Sequence, residues 1–184
     1  PVDMDLLCEV CAQFKIPVVE DAAESLGSFY KGKHTGNHGL ISSLSFNGNK
    51  IITTGGGGAI LTNDDNLADR AKYITTTAKV PHKWEFFHDI TGFNYRMPAL
   101  NAALGCAQME QLENFIQKKR ILAENYRKSF EGIDGVSFFV EPAYAKSNYW
   151  LNTIILQKEN EKLRDEVLEY IQTGESAIEK HASI

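Results

Sequence analysis

The stretch SFNGNKIITTGGGG, residues 45–58, sets one lysine in a polar turn and runs it into four consecutive glycines. Two chemistries compete for it: a backbone loop around a nucleotide's phosphates, or a lysine amine held for reaction. A Walker loop places its glycines before the lysine, follows it with Ser or Thr, and opens a helix. Here the glycines come after Lys50, Ile51 follows it, and the downstream GAILTN (58–63) reads as a strand. The order excludes the phosphate loop, and no GxGxxG occurs elsewhere. Lys50 is left as the chemical centre of the stretch.

Outward from Lys50, the chain alternates in an α/β pattern. Residues 3–15 place Met4, Leu7, Cys8, Cys11 and Phe14 at helical spacing behind Asp3, a predicted N-cap. IPVVED (16–21) reads as a buried strand delivering Glu20 and Asp21 at its C-terminal end, and ISSLSF (41–46) as a second strand ending at the Lys50 turn. GAILTN supplies a third, followed by a helix over 64–77 with Asp64 and Asp65 in its first turn. Residues 78–97 are irregular and aromatic. From Pro98 a helical stripe (Leu100, Leu104, Ala107, Leu112, Phe115, Ile116, Leu122, Tyr126, Phe130) runs to EGIDGV. VSFFVEP (136–142) and NYWLNTIIL (148–156) read as strands. The expected organisation is a large domain over 1–131, the start of a smaller one over 132–171, and a poorly ordered tail over 172–184.

Composition narrows the function classes. An apolar content of 43% supports a globular core. A net charge of −5 leaves no electrostatic footprint for nucleic acid or anionic membrane. No apolar run approaches the roughly 18 residues of a membrane helix, and PVDMDLLCEV lacks signal-peptide layout. Three cysteines make no disulfide framework, so a reducing, cytoplasmic setting is expected. Cys8 and Cys11, with His34 and His38 further on, have poor spacing for zinc; the cysteines read as core fillers on a helix face and the histidines as solvated. A chain that does not open with Met is read as a fragment.

Asp21 at a strand end, Ser45 at the next and Lys50 in the turn suit pyridoxal phosphate. A lysine amine can form a Schiff base, a carboxylate can pair with the pyridine nitrogen, and hydroxyl and amide donors can take the phosphate. The glycines allow close backbone approach or φ > 0. From residue types and spacing alone, a strand that merely ends in Asp and a solvated loop lysine remain open.

VVEDAAESLGS (18–28), LSFNGNKIITTGGGGAIL (44–61), GFNYRMPALNAALGCAQMEQL (92–112) and KKRILAENYRKSF (118–130) together resemble the DegT/DnrJ/EryC1/StrS sugar aminotransferases. Within that family they look most like the branch that aminates C4 of UDP-4-keto-6-deoxy-N-acetylglucosamine for bacillosamine or legionaminic acid. The resemblance implies the PLP-dependent transferase fold type I, aspartate-aminotransferase-like, with a mostly parallel sheet in the large domain and active sites shared across a homodimer. It makes Lys50 the Schiff-base lysine and general acid/base, and Asp21 the partner of the pyridine nitrogen. Glu24 falls near the cofactor's phenolic oxygen, and Ser45 at its phosphate. Asn94 reaches the partner subunit's cofactor phosphate, with Arg96 nearby as a substrate contact and Asn47 and Asn49 as weaker candidates. The implied reaction moves an amino group from L-glutamate to a nucleotide-linked 4-keto-6-deoxy sugar by ping-pong transamination. The alternatives are a sugar dehydratase relative, which replaces the lysine by histidine, and an inactive fragment. Because segments that complete the family's domains are missing, this chain alone is expected not to turn over.

Overall fold

The computed structural model describes residues 1–160 and 162–173. They form two compact units: residues 1–120 with 141–150, and residues 121–140 with the chain from 151 onward. The change of unit falls inside a helix, upstream of the change expected near Gly132, and 141–150 return to the first unit.

The first unit opens with α1 (Met4–Gln13), capped by Asp3, whose side chain accepts from Leu6 N–H at 3.1 Å. Met4, Cys8 and Cys11 line its inward face, whereas Leu6, Leu7, Val10 and Phe14 are exposed. Next come β1 (Val19–Asp21), the short antiparallel pair β2 (Phe29–Tyr30) and β3 (Lys33–His34), and β4 (Ile41–Ser45). β5 (Gly58–Leu61) follows the Lys50 loop. β1 and β4 run parallel with Asp21 opposite Ser43, and β5 returns antiparallel with Gly58 opposite Ser45. The expected α/β class holds, but the first strand is not buried: Val19 is 67% exposed. Only one face of the apolar pair Val18–Val19 finds neighbours among the described residues, so apolar sequence did not translate into burial.

Glu20 is spent on structure. Its carboxylate accepts from the amides of Gly36, His38 and Gly39 at 2.7, 2.6 and 2.5 Å and so folds the 36–39 loop back over β1. The histidines expected to be solvated are also engaged. His34 Nε2 accepts from Gly27 N–H at 2.8 Å, and its ring meets Phe29 edge-on; His38 packs edge-on against Tyr30.

α2 (Asp65–Thr75) is capped by Asp64, which accepts from Leu67 N–H at 3.0 Å. The single helix expected from Pro98 is two, α3 (Ala99–Glu110) and α4 (Leu112–Ser129), with a break at Gln111. Leu100, at 83% exposure, leaves the predicted stripe, while Ile116 keeps its place in the interior.

The two late strands shrink. In the second unit β6 (Val136–Phe138) pairs antiparallel with β8 (Ile154–Leu156), followed by a 3-10 turn (Lys158–Asn160) and α5 (Leu163–Thr173). Between them β7 (Ala145–Lys146) joins β2 in the first unit. Gln172 and Thr173 close α5; the rest of the expected tail lies outside the described residues.

Candidate active site

The parallel pair β1–β4 carries Asp21 and Ser45 at the C-terminal ends of neighbouring strands, the edge at which open α/β sheets present groups to ligands. Asp21 Oδ1 accepts from Ala23 N–H at 3.1 Å, which starts the turn that swings Glu24 toward the next loop. Ser45 Oγ accepts from Asn47 N–H at 3.3 Å, and Lys50 N–H closes a turn on Asn47 O at 3.1 Å. Asn47 donates across the turn to Asn49 Oδ1 at 3.2 Å.

The loop carrying Lys50 is closed at its neck. Phe46 N–H donates to Gly57 O at 2.9 Å and Thr54 N–H to Phe46 O at 3.0 Å. Ile52 and Thr54 are each 1% exposed, so both anchor the far side of the loop in the interior. From α3, Asn101 donates to Thr54 O at 2.6 Å and Gln108 Oε1 accepts from Thr53 N–H at 3.3 Å. The four glycines have two explanations. Gly55, Gly56 and Gly57 all sit at positive φ (78°, 153° and 115°), and a Cβ on Gly58 would run into the carbonyl of Leu44 on the paired strand. Together these constraints fix the chain on both sides of Lys50.

The Lys50 side chain is 12% exposed, and its amine forms an ion pair with the Glu24 carboxylate. On another side it lies 4.4 Å from the ring centroid of Trp150, whose indole N–H donates to Asn49 O at 2.6 Å. The structure therefore brings Lys50 and Glu24 into contact and places Asp21 and Ser45 on the same sheet edge. Asn94 and Arg96 stand apart from that group. Asn94 bridges to Thr76 after α2, and both residues line a cleft of about 1060 Å³ with Gly56–Leu61, Lys72, Tyr95 and Met97.

Sequence reasoning missed Trp150 and Asn148. Both lie in NYWLNTIIL, whose apolar alternation reads as a strand, and no local signal ties them to residues more than a hundred positions earlier. Asn148, 3% exposed, donates its side-chain amide to Glu24 O and Leu26 O at 2.7 and 2.9 Å, and its backbone N–H to Ser28 Oγ at 3.0 Å.

The chain is similar to known proteins in sequence and in fold. GDP-perosamine synthase of Escherichia coli O157:H7 is 40% identical over 167 residues, covering 90% of this chain and 45% of that one. UDP-4-amino-4,6-dideoxy-N-acetyl-beta-L-altrosamine transaminase of Campylobacter jejuni strain 81-176 is 30% identical over 181 residues, 98% of this chain and 48% of its own. The structure of Helicobacter pylori PseC, an aminotransferase involved in the biosynthesis of pseudoaminic acid, superposes with a TM-score of 0.90 at 25% identity, covering 95% of this chain and 47% of that one. The chain spans about half the length of the curated relatives it matches. The model of the DegT/DnrJ/EryC1/StrS aminotransferase family matches residues 1–181, and the chain belongs to that family.

Proposed function

We propose that the whole protein is a pyridoxal-phosphate-dependent aminotransferase that moves the amino group of L-glutamate to C4 of a nucleotide-linked 4-keto-6-deoxy sugar. The observation that carries this reading is the mostly buried Lys50 side chain, ion-paired with Glu24 in the turns that follow the strands ending in Asp21 and Ser45. The donor set suits the cofactor: one primary amine, one carboxylate on the adjacent strand, and a hydroxyl flanked by two side-chain amides. When bound, pyridoxal phosphate supplies the electron sink that makes an amino acid's α C–H acidic.

The chain's own groups divide the remaining work. Asp21 is the carboxylate that would hold a pyridine N–H, and Ser45, with Asn47 and Asn49, would donate to the phosphate. Lys50 Nζ would hold the cofactor and would take up and return the proton, while Glu24 would steady the ammonium form of that amine. Asn94 and Arg96 lie outside the Lys50 cluster, which suits a role toward the partner subunit's site in a homodimer. The names of the relatives, one a GDP-sugar synthase and another a UDP-sugar transaminase, support the substrate class. Cytoplasmic location is part of the same proposal; among the described residues no helix is long and apolar enough to cross a membrane.

The test is chemical trapping. The whole protein is incubated with pyridoxal phosphate, reduced with borohydride and mapped by mass spectrometry. A covalent adduct is expected on the peptide containing Lys50. In Lys50→Ala the adduct is absent and glutamate-dependent amination of 4-keto sugar nucleotides falls by about a thousandfold or more. A wild-type protein without a Lys50 adduct overturns the reading.

A further inference from the structure

Trp150 has two separate contacts with the Lys50 loop, and both point to the same task. Its ring faces the Lys50 amine at 4.4 Å, and its N–H takes the carbonyl of Asn49, the residue just before the lysine. An aromatic face attracts an ammonium through its quadrupole, so the ring restricts where the cation sits. The N–H bond fixes the backbone from which the side chain springs. One side chain thus sets both ends of the lysine.

Trp150 is itself locked from behind. Its backbone N–H donates to Asn148 Oδ1 at 2.9 Å, and Asn148 is stapled to the Glu24–Ser28 turn by three hydrogen bonds. Tyr149, between them, sits at φ 47°, a left-handed conformation that a non-glycine residue adopts only when its surroundings impose it. Arg120 and Glu141 hold the backbone just before it: Arg120 donates to Ser147 O at 2.6 Å and Glu141 accepts from Ser147 N–H at 2.5 Å. The same short segment therefore fixes Glu24 through Asn148 and Lys50 through Trp150, the two members of the ion pair.

We propose that Trp150 is a positioning residue for Lys50, acting through the cation–π face of its ring. The significance for transamination rests on the function proposed above; the hold on the amine does not. The test measures that hold without cofactor. Whole protein is acylated with a trace of acetic anhydride, and modification of Lys50 is quantified against the exposed Lys118. Trp150→Met, which keeps apolar bulk but has no ring, is expected to label at Lys50 about threefold faster than wild type or more. Trp150→Phe keeps the ring and loses the N–H, and is expected to stay within about twofold of wild type. Circular dichroism identifies any variant that fails to fold, and the Phe-to-Met difference is then read on the pair that folds under milder conditions. Lys50 labelling in Trp150→Met at or below the Trp150→Phe rate overturns the proposal. Borohydride trapping on the same wild-type sample separates the two ideas: no adduct sinks the aminotransferase reading, while the labelling ratio still decides the role of Trp150.

Discussion

Glu141 and Arg120 meet as a fork, with Nη1–Oε2 at 2.9 Å and Nη2–Oε1 at 2.6 Å, and each also grips the backbone of Ser147. Both are only partly exposed, at 32% for Arg120 and 21% for Glu141. Arg120 hydrogen bonding holds the Glu141 carboxyl below its ordinary value of 4.5, with the Ser147 amide adding to it and partial burial opposing. A carboxyl whose folded value is depressed contributes stability that is present above the unfolded value and is lost as pH falls through the folded one. Glu141→Gln is therefore expected to lower unfolding free energy by about 1–2 kcal/mol at pH 7, a figure already discounted for solvent screening. The gap between wild type and variant should narrow as pH falls from 4.5 toward the depressed folded value, because the unfolded carboxyl takes up its proton first, and it should level off only below the folded value, where Glu141 is neutral in both states. Urea titrations at pH 7 and at pH 4 measure it, and a gap that does not change with pH rejects the assignment.

At the scale of elements, what could be read from sequence was what is enforced locally. The cap Asp3 was legible because a side-chain acceptor and its amide lie three residues apart, whereas Asp64, read as an acid of the first turn, is itself the cap of α2. The end of β4 and the start of β5 were legible because polar turn residues and glycines punctuate them. The break at Gln111 was not, since good helix formers flank it on both sides and only a backbone torsion of φ −103°, ψ 0° marks it. The three-stranded sheet of β3, β2 and β7 was invisible for another reason: two-residue strands carry no periodicity. The glycine run belongs to this scale too. Gly58→Ala places a methyl group against the Leu44 carbonyl, with the carbonyl carbon 3.4 Å away, and backbone cannot give way as a flexible side chain can. Because Gly58 pairs with Ser45, the strain falls on the strand end that carries a candidate ligand-binding hydroxyl. A loss of about 1–3 kcal/mol is expected, read from the urea midpoint, together with faster hydrogen exchange at the Phe46 amide. Unchanged stability would show that β4 and β5 separate at no cost.

Over the whole molecule, the candidate site was half legible. Residue types and order singled out Lys50, Asp21 and Ser45, and the family resemblance added Glu24, because all four lie within thirty positions on two strands and the turns after them. Asn148 and Trp150 reach that cluster across gaps of 124 and 101 residues, and nothing local encodes a contact at such separation. The same gap makes Asn148 the sharpest probe of long-range order in the first unit. Its side chain satisfies the carbonyls of both Glu24 and Leu26 in a site closed to solvent, and alanine would leave those acceptors without their amide donor and a small void in place of the side chain. Each unsatisfied buried acceptor costs about 1–3 kcal/mol, so Asn148→Ala is expected to lose about 2–4 kcal/mol of stability. The loss should be focused. Amides in the Ser25–Thr35 region, whose bonds Ser28 N–H to Ser25 O and Thr35 N–H to Ser28 O close the turn that Asn148 staples, should exchange faster, while α2 amides keep their protection relative to global unfolding. Asn148→Asp separates geometry from charge: it preserves the shape and the Oδ1 acceptor for Trp150 N–H but sets a carboxylate against two carbonyl oxygens, and should be at least as damaging as alanine. An Asn148→Ala protein with wild-type stability and wild-type exchange over 25–35 would mean that the returning segment rests on the first unit without holding it.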